Sequence, residues 1–270
     1  DPDFFENSQK KCESCYDKII SEIENSKCED NNYPINTVIT CECLIIREES
    51  KKGNFKADKI LGDIYKLYSN SLSFLHYFRA YYLGDDESIF EIGYFYYKGG
   101  DFTVKNYNES LKFFSLCLTR DCHLADFYMA RMFLGGLGVK KDREAGIKFL
   151  FMGALYEQFN CIGELRQTLT SSDVNIIEKD VEDGNFQQSL FKVSLLYLHG
   201  IRKKKNHKNG LRYLILGLKN NCLYCLHYIK IYLKKNPHVI QAYKTLSEAS
   251  VDDYPQNWSL LVKHGLVNDS

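Results

Sequence analysis

The chain has 270 residues, a formal net charge of zero, 14% aromatic residues and only four prolines. That length can bury a large core or stack several small units. Charge balance gives no electrostatic reason to expect nucleic acid or an anionic membrane, and no apolar run approaches the roughly 20 residues needed to cross a bilayer. Few prolines and many Tyr and Phe suit a helical chain whose rings fill the space between paired helices.

Residues 1–53 open the chain. Phe5, Cys12, Tyr16, Ile19 and Ile23 make a helical stripe. The next segment starts at Pro34, suited to a first helical turn. Its Thr37–Thr40 run is β-branched and strand-like, but length and the lack of a partner strand predict helix. Gly53 closes a helical hairpin, which we expect to cover one end of the helices that come after it.

From Ala57 a unit recurs. The first copy has Ala57, Leu61, Gly62 and Tyr65, then a helix with Ala80 and Tyr81. The second has Ser88, Ile92, Gly93, Tyr96, Gly99 and Gly100, then Ser110, Phe113 and Cys117. The third is the most complete, running from Ala125 to Ala154. Ala125, Met129, Ala130 and Phe133 sit at helical spacing, Gly135, Gly136 and Gly138 break the helix, and Asp142 stands where an N-cap belongs. A second helix then carries Gly146, Phe149, Gly153 and Ala154. The fourth copy, Cys161 to about Asn185, is degenerate, with Arg166 at the small-residue position. The fifth has Ser189, Val193, Ser194, Tyr197 and Gly200, a basic loop, then Asn206, Gly210, Tyr213 and Gly217. A sixth begins near Cys222 and fades. A small residue (Gly62, Gly93, Ala130, Ser194) lets the paired helix approach, and the aromatic three residues on (Tyr65, Tyr96, Phe133, Tyr197) fills the crevice. A large side chain at the small position costs roughly 1–3 kcal/mol. After Pro237, Val239, Ala242, Tyr243 and Leu246 make one more stripe. The last segment holds the only tryptophan, Trp258, with Leu260, Leu261 and Leu266.

The third copy resembles the Sel1-like repeat, a relative of the tetratricopeptide repeat. Ala125, Met129, Ala130, Phe133, Gly136, Gly138, Val139, Asp142, Gly146, Phe149, Gly153 and Ala154 occupy its pattern in order. The resemblance implies an all-α right-handed solenoid of antiparallel helix pairs. We divide the chain into an N-terminal helical cap, 1–53, repeats over 54–235 and a C-terminal helical cap, 236–270. It also implies a non-enzymatic scaffold or adaptor for protein partners, in the secretory lumen or outside the cell, with a cytoplasmic setting as the alternative. The competing reading is a self-assembling structural protein of a coat, wall or filament. In such solenoids the first helices line the binding face, which would offer Asp63, Glu91, Asp126 and Arg131.

Ten cysteines favour an oxidising compartment. Three Asn-x-Ser triplets, at Asn108, Asn257 and Asn268, are compatible with secretion. Cys12-x-x-Cys15 invites a redox reading, but it lies within a helical stripe with no strand before it. A zinc site from Cys12, Cys15, Cys41 and Cys43, disulfides between the two N-terminal helices, and buried free thiols remain open. Cys117 and Cys122 flank the turn between the second and third copies and are disulfide candidates. Cys161 and Cys222 lie at the equivalent turn in later copies. The run Arg202–Lys205 reads as a solvated loop. No histidine pattern, nucleophile elbow or phosphate-cradling glycine motif argues for catalysis or a cofactor. The C-terminal segment is short for a cover, so Trp258 and Leu261 are candidate anchors of a homo-oligomer.

Overall fold

A computed structural model describes residues 41–67, 69–100, 103–236 and 261–265, and among these every regular element is a helix. Residues 1–40 of the N-terminal cap, with Cys12 and Cys15, and Trp258, Leu260 and Leu266 lie outside the described residues. Twelve α-helices follow in order: α1 (Cys41–Lys51), α2 (Phe55–Tyr65), α3 (Asn70–Tyr82), α4 (Ser88–Lys98), α5 (Tyr107–Thr119), α6 (Asp126–Gly135), α7 (Arg143–Leu155), α8 (Phe159–Thr168), α9 (Ser171–Glu182), α10 (Phe186–His199), α11 (His207–Lys219) and α12 (Leu223–Lys235). A single 3-10 turn, His123–Ala125, precedes α6. The chain divides into two compact units. The first comprises Asp1–Met132 and Gly136–Lys140, the second Phe133–Gly135 and Lys141–Ser270.

The second helix of each repeated pair starts for a local reason. The side chains of Ser69, Asn106, Asp142, Thr170 and Asn206, all with extended backbone, accept the N–H groups of Leu72, Glu109, Ala145, Asp173 and Asn209. Each satisfies a donor that the first helical turn leaves unpaired. Thr170 and Asp173 close a full capping box. The first helices end on positive φ where the loop must turn back, at 70° for Gly136 and 65° for Gly200.

In the first unit α2 packs on α3, α3 on α4 and α4 on α5. The contact is close because one helix presents a glycine. A Cβ at Gly62 would lie 2.8 Å from the Tyr77 ring, and one at Gly93 would lie 2.8 Å from Phe114. The same small residues leave backbone carbonyls within reach of the partner helix. Ser73 Oγ donates to the Gly62 carbonyl at 2.7 Å, and Ser110 Oγ donates to the Gly93 carbonyl at 2.9 Å. Tyr77, Phe114, Ile89, Ile92 and Leu61 are almost wholly buried around these crossings. Beneath α1 and α2, buried Asp58 accepts a hydrogen bond from Ser50 at 2.8 Å and pairs with His76 Nδ1 at 2.9 Å. Burial of a carboxylate requires such partners.

In the second unit α7 packs on α8, α9 on α10, α10 on α11, and α12 on both α10 and α11. Leu150, Leu165, Leu169, Leu190, Leu195, Leu214 and Tyr228 have no exposed surface. Gly210 takes the place held by Ser110 in the first unit, and a Cβ there would meet the Leu198 side chain well inside van der Waals contact. The degenerate fourth copy is accommodated by a change of job. Arg166 turns outward and donates to the His199 carbonyl at 2.6 Å, capping the end of α10.

One ring pair repeats through both units. Tyr65 stacks on His76, Tyr96 on Phe113, Phe133 on Phe149 and Tyr197 on Tyr213, with centroids 5.3, 5.8, 5.4 and 5.7 Å apart and planes 9, 14, 19 and 10° from parallel. Each joins the aromatic of a first helix to a ring three residues beyond the small position of the second.

Candidate interaction face

The first helices of the first unit carry a ledge of partly exposed rings. Phe90, Tyr94 and Tyr97 on α4 recur at three- and four-residue spacing, so they share one helix face. Tyr128 from α6 lies among them, with centroids 5.7, 5.3 and 5.2 Å from the three. Tyr128 stacks on buried Phe114 at 5.5 Å, which fixes the ledge to the core below. All four ledge residues keep part of their surface in solvent. Large, rigid, amphipathic rings give contact area at low entropic cost, which suits a protein-binding surface.

Charged groups rim the rings. Lys66 Nζ pairs with Glu91 at 2.6 Å and stands 6.0 Å from the centroid of the Tyr94 ring. Lys59 pairs with Glu87. Arg131 lies over the Phe127 ring at 5.7 Å. Burial pushes the Tyr128 hydroxyl above its ordinary value, with Tyr94, Tyr97 and Glu91 adding to the shift. Burial also raises the Asp63 carboxyl, partly offset by the hydrogen bond it accepts from the Tyr77 hydroxyl.

Of the four charges expected on this face, Glu91 and Asp63 are partly exposed and Arg131 is exposed. Asp126 corrects the expectation: it is 2% exposed. It sits in the first turn of α6, with His123 Nδ1 3.1 Å away, and burial pushes its carboxyl up to about 7. The ledge rings were not singled out from the sequence. Their spacing on α4 was visible, but the ring from α6 that completes the cluster comes from the next repeat.

The basic loop after α10 is held by its neighbours. Arg202 Nε donates to the Leu169 carbonyl at 2.7 Å, and Lys203 pairs with Glu178 at 2.6 Å. Two of its four cations therefore serve the fold. No group of three or more His, Cys, Asp or Glu able to hold a metal occurs among the described residues. No helix among them is long and apolar enough to cross a membrane.

The turns after α5, α7 and α11 share one geometry. In each, a residue with φ between 55° and 58° (Asp121, Glu157, Asn221) precedes an N–H that reaches back five residues to a carbonyl. The donors are Cys122, Gln158 and Cys222, bonding Cys117, Gly153 and Gly217 at 3.0, 3.0 and 2.8 Å. Cys117 and Cys122 are placed as a disulfide pair, with Cα atoms 5.0 Å apart. This register corrects one expectation. Cys222 matches Cys122, but Cys161 lies three residues further along its repeat, inside α8, where it is buried. Its counterpart is Cys225, which sequence reasoning passed over although Cys222-x-x-Cys225 repeats the spacing of the pair near the N-terminus. Of the positions that mark the repeat, Gly62, Gly93, Ala130 and Ser194 are buried. Leu261 is buried as well.

Comparison with known proteins identifies three of the repeats. The model of the Sel1 repeat matches residues 86–116, 123–155 and 187–222. No curated protein matches. A Sel1 repeat protein from Oxalobacter formigenes is similar in structure at 14% identity over 71% of this chain and 59% of that one, with a TM-score of 0.44. A protective antigen of uropathogenic Escherichia coli strains, described as having an SLR fold, is similar at 14% identity over 96% of this chain, with a TM-score of 0.50. The chain spans 59% and 61% of the length of these two structures. Its second, third and fifth copies match the Sel1 repeat, and the fold is the all-α solenoid of helix pairs.

Proposed function

We propose that the chain is a non-enzymatic interaction module and that the Phe90–Tyr94–Tyr97–Tyr128 ledge receives its protein partner. Sel1 repeats generally mediate protein–protein interaction. The observation that carries the site is the ledge itself: four rings from two repeats, backed by buried Phe114 and rimmed by Lys66, Glu91 and Arg131. A partner segment offering apolar side chains between charged ones fits this pattern. Placement outside the cell or in the secretory lumen is supported by the cysteine content and the Cys117–Cys122 pair.

A photoreactive side chain placed at Arg131 on the ledge rim, and in a second variant at exposed Lys112 on α5, tests the face in extracts of the source cells. Discrete adducts from position 131 and none from 112 are expected. Equal labelling from both positions would remove the ledge as the binding site. Double substitution of Tyr94→Ala and Tyr128→Ala should abolish the adduct from position 131.

A further inference from the structure

The turn that Cys117 and Cys122 bridge in the first unit recurs before α12 with its sulfur atoms rearranged. Gly217 stands at the place of Cys117, and Cys222 at the place of Cys122. The space beside Gly217 is not empty. A Cβ there would meet the Sγ of Cys225 far inside contact distance, and the Cys225 Cβ at 2.6 Å. A cysteine sulfur therefore fills the space under the turn in both units. In one the helix before the turn supplies it, and in the other the helix after. In both, it faces the cysteine whose N–H closes the turn.

We propose that Cys222 and Cys225 are a dithiol site that closes to a disulfide across the first turn of α12 by exchange with a low-molecular-weight disulfide. The inference does not rest on the interaction reading above.

The geometry gives the two cysteines different parts. Cys222 is the N-cap of α12, and its Sγ accepts the N–H of Cys225 at 3.4 Å. Helix N-termini favour a thiolate, because unpaired N–H groups and the helix dipole stabilise negative charge. The Cys225 thiol donates to Cys222, with backbone N–H groups of Cys225 and Tyr224 adding to it; together they bring the Cys222 thiol down to about 7. The hydrogen bond to Cys222 and then burial push the Cys225 thiol far up. Cys222 is therefore the attacking sulfur and Cys225 the resolving one. As a thiol, Cys222 donates to the Gln187 carbonyl at 2.9 Å, a bond that is released on deprotonation.

Exchange then runs in two balanced steps. The Cys222 thiolate attacks one sulfur of the small disulfide, an S–S bond forms to Cys222, and the first thiolate leaves with the electron pair of the broken bond. Cys225 loses its proton and attacks the Cys222 sulfur. The second thiolate leaves, and the two departing thiolates take up protons. The protein dithiol is oxidised by two electrons and one small disulfide is reduced to two thiols. Closure replaces the sulfur-accepted cap of α12 by a covalent tie.

The test uses the full chain, folded, with oxidised glutathione as the disulfide. After incubation the free thiols are alkylated, and the tryptic peptide spanning residues 220–230 is weighed. We expect it two hydrogens lighter and unalkylated at both cysteines, while the Cys225→Ala chain stops with one glutathione on Cys222. The Cys222→Ser chain, whose serine is itself a good N-cap, should leave Cys225 reduced. Alkylation of both cysteines in the unsubstituted chain under conditions that close Cys117–Cys122 would overturn the proposal. So would a bond from Cys222 to any cysteine other than Cys225.

Discussion

Two glycine substitutions with opposite expected signs test the packing logic of the repeat. Gly93 lies in the middle of α4, where a Cβ would come within 2.8 and 2.9 Å of Phe114 Cδ1 and Cε1 and 3.2 Å of Phe113 Cβ. Phe114 cannot swing aside. It has no exposed surface and is boxed by Phe90 at 5.9 Å and Tyr128 at 5.5 Å. Gly93→Ala must therefore push α4 and α5 apart by several tenths of an ångström and stretch the Ser110 bond to the Gly93 carbonyl. Overpacking costs about 1–3 kcal/mol. Better helix propensity returns up to about 1 kcal/mol. The net is a loss of about 1–2 kcal/mol, or on the order of 2–8 °C in Tm for a chain of this size. Gly93→Leu should lose several kcal/mol, because its longer side chain adds bulk where a Cβ alone already overlaps Phe114. Gly163 is the control. It lies within α8, where a Cβ would have nothing within 4 Å. Gly163→Ala should gain about 0.5–1 kcal/mol. Circular dichroism melts of the two alanine variants decide the matter. A Tm that rises for both would show that α4 and α5 do not cross closely at Gly93, and the register of every repeat would fall with it.

Gly138 combines a φ of +68° with a Cβ position 2.7 Å from Tyr107 Cβ, so Gly138→Ala should be destabilising by about 2 kcal/mol or more in urea titration. Half-buried His199 is pushed down to about 4 by desolvation and by nearby Arg166, Lys205 and His207, while its Nε2 lies 2.6 Å from the Tyr228 hydroxyl. Below its ordinary value of about 6.5 the unfolded chain binds the proton and the folded one does not, so stability falls as pH drops from about 6.5 towards 4. His199→Gln should flatten that part of the pH profile measured by urea midpoints. The Asp173 carboxyl is held far below the usual carboxylate range, first by the hydrogen bond from Arg143, at 2.6 Å, and by those from Thr170. Its contribution is complete above about pH 4 and is lost on further acidification, and Arg143→Ala should lower the melting temperature at pH 7 by a degree or two and by less at pH 3. Intact mass after alkylation without reductant should show fewer than ten labelled thiols; ten would remove both the disulfides and the secretory placement.

Local chemistry explains the features that were legible in the residue order. A small residue followed three positions later by an aromatic, with Asn, Asp, Ser or Thr ahead of the next helix, constrains φ, ψ and capping within one or two turns. That information sits in neighbours along the chain, so the helix pairs over 57–219 and the stacked rings at Tyr96 and Phe113 or Tyr197 and Tyr213 follow from spacing. Asp142 in the cap position and Gly136 and Gly138 in the left-handed loop belong to the same class.

Other features depended on which side chain arrives from a different repeat. A charged residue at the start of a helix reads as solvent-facing, yet Asp126 is buried. Arg166 breaks the small-residue rule without harm because its guanidinium finds the His199 carbonyl 33 residues away. Tyr128 joins the α4 rings through its stack on Phe114, a contact between helices from two repeats. Cys225 fills the space that Gly217 leaves. Backbone conformation is set mostly by nearest neighbours, whereas burial, charge and thiol pairing are set by atoms brought together only when the helices pack.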